Sequence, residues 1–140
     1  MRHKRFELIE HTADAGIKAY GKTKEEMFKN AALGMFDIMA SLKNIKLQES
    51  IDVELEAKNT EELLVAWLRE LLYQAQAKKI LFKKFAFQDL NETRLRAICY
   101  GEKINPKKHH FKTEIKAVTY HQLKVEQENS LWAGRIIFDL

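Results

Sequence analysis

The side chains with the clearest capacity for chemistry are oxygen donors near the two ends of the sequence. A short polar turn, Glu10 to Gly16, separates two segments that alternate apolar and polar residues, and it contains Asp14. The sequence closes on an apolar run followed by Asp139 and Leu140. A strand-end aspartate one residue from a terminal carboxylate concentrates the oxygen ligands that hard cations prefer. We therefore expect the turn and the last two residues to form two halves of one site.

Each aspartate also has an ordinary structural explanation. Asp14 suits an Asx-turn, in which the side chain bonds the local backbone, and Asp139 suits an exposed strand end. Sites for Mg²⁺ and Ca²⁺ have no tight sequence signature outside loops such as the EF-hand. Neither aspartate by itself therefore predicts a metal.

A lysine within a strand-like pattern is the next candidate. The sequence from His109 to His121 alternates, and Lys116 lies between apolar positions of that pattern. Its side chain either snorkels to solvent or pairs with a carboxylate, or it contacts a phosphate or carboxylate near the site. His121 falls on the apolar face, which favours a hydrogen-bonded core histidine over a ligand.

One segment matches a nucleotide-binding pattern. Gly16 to Thr23 fit G-x-x-x-x-G-K-T, and Ile136 to Asp139 resemble the apolar run ending in aspartate that completes such sites. A phosphate-binding loop curls its amides around phosphates, whereas Ile17 to Tyr20 alternate like a strand and contain β-branched and bulky side chains. Thr23 is also explained as a helix cap. We therefore interpret the segment as a strand followed by a cap, with a nucleotide hydrolase as the alternative.

The elements that must position these residues follow from periodicity and capping signals. Thr23 to Glu26 form a capping box for a helix ending near Ala40, and Asn59 or Thr60 starts a second, largely apolar helix. Strands are predicted at residues 6–10, 17–21, 51–57, 81–90, 94–100, 111–126 and 131–140. Two helices packed on a largely antiparallel β-sheet make an α+β fold, in a single domain over residues 1–140.

Composition limits the classes of protein to consider. Hydrophobic residues make up 46% and charged residues 31% of the sequence, as in soluble globular domains. Cys99 is the single cysteine, so neither an internal disulfide nor a zinc or thiol redox site has support. The longest apolar run, Leu63 to Leu68, is far short of the roughly 20 residues of a membrane span. The basic start lacks the apolar segment of a leader peptide, and we expect a cytoplasmic protein.

The positive charge is concentrated in the second half of the sequence. Residues 1–70 hold 11 Lys and Arg against 13 Asp and Glu, whereas residues 71–140 hold 13 against 7. Either the lysines of the second half solvate strand ends, or this half faces a nucleic acid or an acidic partner.

The combination of several segments resembles the archease family. The segments are Ile9–Ile17, Ala19–Thr23, Asn30–Ala32, Glu114–His121 and Arg135–Leu140. They contain H-T-A-D after the first strand, a K-A-x-T-Y segment, and a final aspartate followed by one aliphatic residue. The resemblance extends from the first strand to the last residue, with Ala15 as a small departure from the family's frequent D-I-G.

The resemblance implies a function. Archeases are accessory proteins, not enzymes, of the RtcB-type RNA ligase, which joins tRNA halves and other RNA ends; they promote its GTP-dependent guanylylation and its multiple turnover. Carried over, Asp14, Asp139 and a main-chain or terminal oxygen of Leu140 would hold a divalent ion, Ca²⁺ in the first place and Mg²⁺ or Mn²⁺ as alternatives. Lys116 matches the family lysine and would assist the ligase. The protein would contact RNA indirectly, through the ligase, and no membrane contact is expected.

Two other classes of function compete with this one. The first is the nucleotide hydrolase already described, which would depend on Lys22. The second is a chaperone-like protein or a general RNA-binding module acting through basic charge, although no aromatic stacking motif of the RNA-recognition type is evident.

Overall fold

The computed structural model describes residues 3–10 and 14–140. Within these residues the chain forms eight strands and two helices in the order β1-β2-α1-β3-α2-β4-β5-β6-β7-β8. The strands are β1 Phe6–Glu10, β2 Asp14–Gly21, β3 Glu49–Glu56, β4 Ile80–Leu90, β5 Arg94–Lys103, β6 Ala117–Val118, β7 Lys124–Glu128 and β8 Leu131–Asp139; the helices are α1 Lys24–Met39 and α2 Thr60–Lys78.

Both helices begin where the capping signals predict. The Thr23 hydroxyl accepts a hydrogen bond from the Glu26 amide at 3.1 Å, and the Asn59 side chain accepts one from the Glu62 amide at 2.9 Å. The Glu26 carboxylate accepts from the Lys22 amide at 3.1 Å, one residue before the cap that the capping box predicted. Side chains thus satisfy amide groups that a helix start leaves without internal partners.

Among the described residues, the strand pairs are antiparallel and form two sheets. One sheet has the order β1-β2-β8-β6, with β7 also paired to β8, and the other has the order β3-β5-β4. The predicted α+β class with two helices is confirmed, but the strands do not share the single sheet that was expected.

The two helices contact both sheets. Helix α1 contacts β1, β2 and β8 of the first sheet and β4 of the second, and α2 contacts strands of both sheets as well. Every residue from Asn30 to Phe36 is buried for this reason. The Trp67 indole of α2 donates to the Phe28 carbonyl of α1 at 3.0 Å, which ties the helices together inside the core. A helix with apolar side chains around most of its circumference requires such cover on more than one side.

The prediction of one strand from residue 111 to residue 126 is wrong. Within this range only Ala117–Val118 and the first residues of β7 pair as strand. A turn separates them, in which the Leu123 amide donates to the Tyr120 carbonyl at 3.1 Å and Gln122 has a φ of 54°. Both pieces pair with β8 on the same side, so that they act as one interrupted strand.

The strand interpretation of the segment from Gly16 to Gly21 is confirmed. These residues lie within β2, and their neighbours in the sheet are β1 on one side and β8 on the other. Because the backbone groups of a central strand are engaged in the two ladders, they do not form the curled amide cradle of a phosphate-binding loop. The nucleotide-hydrolase alternative is therefore wrong for this segment.

Candidate metal centre

The two aspartates singled out in the sequence are directly opposite each other in the sheet. Asp14 begins β2 and Asp139 ends β8, and the two residues are register partners in the antiparallel pair. Opposite residues of such a pair project from the same face, with Cβ atoms about 4.5–5.5 Å apart. Asp14 was expected in a turn, but it is the first residue of a strand, and its position is therefore set by the sheet.

Asp139 is also held from its other side. Ala117 of β6 is its register partner there, and the Lys116 amide donates to the Asp139 carbonyl at 2.8 Å. Two residues before Asp139 on β8, the Ile137 carbonyl accepts hydrogen bonds from both the amide of Thr119, at 3.0 Å, and its hydroxyl, at 2.8 Å. The end of β8 is therefore fixed between β2 and the segment that carries Lys116.

The two aspartates differ from their neighbours in exposure. Asp14 is half-buried and Asp139 is exposed, whereas Gly16 and Ile137, the next register pair on the same face, are buried. A Cβ at Gly16 would lie 2.6 Å from Ile137 Cδ1 and 2.8 Å from the Ile136 carbonyl oxygen. The two aspartates thus lie at the solvent-accessible end of the β2–β8 ladder, next to a closely packed residue pair.

Leu140 follows Asp139 directly and is half-buried. Its side chain packs against the hydrophobic core. That contact anchors Leu140, whose main-chain oxygens directly follow Asp139 in sequence. The structure brings Asp14 and Asp139 together as register partners, and Leu140, the third residue expected to hold a metal, directly follows Asp139 in sequence.

Lys116 lies at the same edge, with an exposed side chain. Among the described residues, no carboxylate is within ion-pair distance of its ammonium group. Of its two structural explanations, the exposed, snorkelling side chain agrees with this geometry. His121 is exposed as well, so the expectation of a core histidine was wrong.

The donor set fits a hard cation. Two carboxylates that project from one face of a sheet repel each other unless a positive charge lies between them. Carboxylate and main-chain oxygens are the ligands that Ca²⁺ takes, at about 2.3–2.6 Å. Within residues 3–10 and 14–140, no group of three or more His, Cys, Asp or Glu could hold a metal, so the described part of the site offers two carboxylates. His11, Thr12 and Ala13 of the predicted turn lie outside the described residues.

Cations farther along the same sheet face are already paired. Lys18, four residues after Asp14, lies about 13 Å along the strand and donates to Glu128 at 3.0 Å. This hydrogen bond raises the pKa of Lys18 and lowers the pKa of Glu128. Lys124 contacts Glu126 at 3.2 Å. These basic residues therefore stabilise the sheet face by local pairs.

The sequence did not single out the side chains that hold the Lys116 segment from the helix side. The Arg69 guanidinium donates to the Val118 carbonyl at 3.1 Å, and the Gln76 amide donates to the Ile115 carbonyl at 3.3 Å. The signal available in the sequence was a pair of polar residues, seven positions apart and therefore on one side of a helix whose buried face is apolar.

Comparison with known proteins gives a consistent assignment. Residues 6–140 match the model of the Archease protein family (MTH1598/TM1083). The chain is 40% identical to the protein archease of Methanosarcina mazei, over 98% of this chain and 97% of that protein. It is 39% identical to the protein archease of Sulfolobus acidocaldarius, over 97% of this chain and 99% of that protein.

Solved structures share the fold. The solution structure of Methanobacterium thermoautotrophicum protein 1598 has a TM-score of 0.85 and 37% identity, and the match covers 97% of this chain and 99% of that chain. The crystal structure of a Thermotoga maritima archease, described as a possible chaperone, has a TM-score of 0.64 and 24% identity over the whole of both chains. In the described part of this chain, neither helix is long and apolar enough to cross a membrane.

Proposed function

This chain belongs to the archease family, and from that premise we propose that it activates an RtcB-type RNA ligase by presenting a divalent cation at the Asp14–Asp139 edge. In this proposal the chain promotes guanylylation of the ligase and is not itself the enzyme. The ligase acts in tRNA splicing or RNA repair, and the protein meets RNA through the ligase.

One observation supports the proposal more than any other. The aspartate of H-T-A-D and the aspartate at the end of β8, which are 125 positions apart, are register partners in one sheet. In the proposal, Leu140, the residue after Asp139, adds a main-chain oxygen to the ligand set. When bound, a divalent cation neutralises negative charge that develops on nucleotide phosphates during transfer.

The chain's own residues have distinct tasks in this proposal. Asp14 and Asp139 bind and orient the cation, and their spacing is held by the β2–β8 ladder. Lys116 supplies a fixed positive charge at the same edge, because its amide is bonded to the Asp139 carbonyl and its side chain is exposed. An exposed ammonium group without a described carboxylate partner is available to a phosphate of the partner's nucleotide.

The test measures covalent guanylate on the ligase. The protein is mixed with the RtcB-type ligase of its own organism, labelled GTP and Ca²⁺, Mg²⁺ or Mn²⁺ in turn, and labelled ligase is followed over several turnovers. We expect Asp14→Asn and Asp139→Asn to lower the stimulation by about tenfold or more, since even outer partners of metal ligands commonly matter 10- to 100-fold. Lys116→Ala should lower stimulation while leaving cation binding in place.

Asp52→Asn is the matched control. Asp52 is an exposed strand aspartate of the second sheet, opposite Ile98, so that the same chemical change is made far from the proposed site. If the two site variants fold and stimulate the ligase as well as this control does, the proposed cation site is wrong. If the protein binds unrelated RNA without a ligase, or protects unrelated unfolded proteins from aggregation, the RNA-binding or chaperone-like alternative is favoured instead.

A further inference from the structure

The segment from Phe111 to Tyr120 has little strand pairing of its own, although it carries Lys116. Phe111 makes an isolated bridge to Ala40, and only Ala117 and Val118 belong to a ladder. The buried residues of the segment are Ile115 and Val118, and their carbonyl groups need partners, because a polar backbone group without one costs free energy when it is removed from water. Contacts that hold this segment in place therefore also hold Lys116 in place beside Asp139.

Helix α2 supplies two of those partners from one side. Gln76 donates to the Ile115 carbonyl, which precedes Lys116, and Arg69 donates to the Val118 carbonyl, which follows it by two residues. Gln76 and Arg69 are seven residues apart, or two helical turns, and therefore lie on the same face of α2. The two side chains bracket Lys116 and Ala117 along the helix axis.

Arg69 makes further contacts that Gln76 does not. The Arg69 guanidinium carbon lies 4.6 Å from the centre of the Tyr120 ring, and its Nη1 donates to the Tyr120 hydroxyl at 3.4 Å. The Tyr120 side chain remains 53% exposed. A planar guanidinium that bonds a carbonyl and stacks on an aromatic ring holds both ends of the segment from Val118 to Tyr120.

We infer that Arg69 is a positioning residue for the candidate metal centre. It acts from helix α2 through the main chain of the segment from Val118 to Tyr120, in which Thr119 bonds the Ile137 carbonyl of β8. Three residues before Thr119, the Lys116 amide bonds the Asp139 carbonyl at the end of the same strand. Arg69 keeps the Asp139 carbonyl and the Lys116 backbone in place before a cation binds. The inference rests on the proposed function for its biological meaning, but not for its structural content.

The direction of the effect follows from the bonding. Without Arg69, the Val118 carbonyl loses its side-chain donor and Tyr120 loses its stacking partner. The segment is then held near the site by the Lys116 and Thr119 bonds and by the Gln76 bond to the Ile115 carbonyl, without a side-chain donor at Val118. Local opening therefore becomes easier while the core between the sheets is unchanged. Easier opening means that part of the cation's binding free energy is used to order the edge, which weakens the apparent affinity.

The experiment compares Arg69→Gln, Arg69→Lys and Gln76→Ala with the parent. Arg94→Gln is the matched control, because Arg94 is an exposed arginine on the second sheet that pairs with Glu56 at 2.8 Å. Amide hydrogen exchange is measured residue by residue by NMR in cation-free protein, and Ca²⁺ binding is measured by calorimetry. The isolated full-length chain is used, so that no ligase is required.

We expect exchange of the Lys116 and Thr119 amides to rise about tenfold in Arg69→Gln, while amides of β5 in the second sheet stay as in the parent. The Ca²⁺ affinity should fall by about threefold to tenfold, less than the 10- to 100-fold expected for a direct partner of a ligand. In Arg69→Lys the rise in exchange and the loss of Ca²⁺ affinity should both be smaller than in Arg69→Gln. A lysine can donate to the Val118 carbonyl, but it cannot reproduce the planar stack on Tyr120.

Two results would overturn the inference. Unchanged exchange of the Lys116 and Thr119 amides in Arg69→Gln would do so, and so would faster exchange throughout the protein without a selective effect at this edge. If Arg69→Gln does not fold, Tyr120→Leu is used in its place, because it removes the ring on which Arg69 stacks and leaves the bond to the Val118 carbonyl. The inference then requires faster exchange of the Lys116 and Thr119 amides in Tyr120→Leu. A parent that binds no Ca²⁺ contradicts the proposed function, whereas the exchange measurement still decides the role of Arg69.

Discussion

At the scale of single residues, the candidate centre depends on Gly16, a glycine two positions after Asp14 on the same strand. Asp14 and Gly16 share one face of β2, and opposite them on β8 are Asp139 and Ile137. Ile137 fills the space that a Cβ at Gly16 would occupy. The close approach of the two strands at this pair keeps the next pair, the two aspartates, in register.

Gly16→Ala should therefore destabilise the protein. The added Cβ would meet the Ile136 carbonyl oxygen at 2.8 Å, and a backbone atom cannot move aside as a side-chain end can. Insertion of a methyl group into such a closely packed position costs about 1–3 kcal/mol. The free energy of unfolding, measured by urea denaturation, should fall by that amount.

Gly34→Ala provides the matched comparison. The three atoms nearest to a Cβ at Gly34 would be side-chain atoms, of Ile17 and Phe6, at 3.1–3.2 Å. Alanine also gains about 1 kcal/mol over glycine within a helix. The loss of stability should be clearly smaller than for Gly16→Ala, and equal losses in the two variants would contradict the packing argument.

At the scale of elements, short polar contacts fix the loops that the ladders do not reach. At the end of β5, the Glu102 carboxylate accepts from the Lys46 amide at 3.0 Å and from the Lys108 ammonium at 2.9 Å. It also contacts Nε2 of the buried His109 at 3.1 Å, while Nδ1 of that ring accepts from the Asn105 amide at 2.9 Å. One carboxylate thus joins two loops to a strand end.

The protein should lose stability in acid partly through Glu102. The hydrogen bond from the Lys46 amide, followed by that from Lys108, lowers the pKa of Glu102 from 4.5 to about 2. A carboxyl whose pKa is lower in the folded state stabilises the fold above its unfolded pKa, and that contribution is lost as the pH falls. The loss is expected between about pH 5 and pH 2.

Glu102→Gln should be less stable than the parent near neutral pH and should show a smaller further decrease on acidification. Urea midpoints at several pH values test this. Glu92→Gln, at an exposed turn, is the control and should follow the parent. If the parent and Glu102→Gln lose stability in parallel between pH 5 and pH 2, the network does not contribute the expected pH dependence.

At the scale of the whole molecule, the candidate centre joins the beginning and the end of the described fold. Strand β2 is second in the chain and β8 is last, and their ladder is the middle of the first sheet. Helices α1 and α2 both contact β8, so the core and the site edge share one strand. A cation at this edge would therefore link residues that are distant in sequence and would resist unfolding of the whole chain.

Ca²⁺ should consequently raise the thermal midpoint of the parent. A ligand that binds only the folded state adds about 2.7 kcal/mol when its free concentration is 100 times its dissociation constant. Asp139→Asn should lose most of this increase, whereas Asp52→Asn should retain it. An equal Ca²⁺-dependent shift in both variants, measured by calorimetry, would place the binding elsewhere.

The sequence by itself determined the features that depend on near neighbours. Thr23 and Asn59 start the helices because their side chains bond amides three residues ahead, and such contacts can be inferred from spacing alone. The pattern around Asp14 indicated a turn between two strands and the pattern at Asp139 indicated a strand end, and both segments carried the family resemblance. The binding of a cation at this site, the identity of that cation and the partner stay predictions.

The tertiary structure decided what depends on distant contacts. The break at Gln122, the division into two sheets and the exposure of His121 follow from what packs against each segment, and sequence periodicity does not contain that information. Arg69 is the clearest case, since its partners at Val118 and Tyr120 are about fifty residues away in sequence. A polar residue on a helix shows no preference for one distant carbonyl until the fold brings that carbonyl to it.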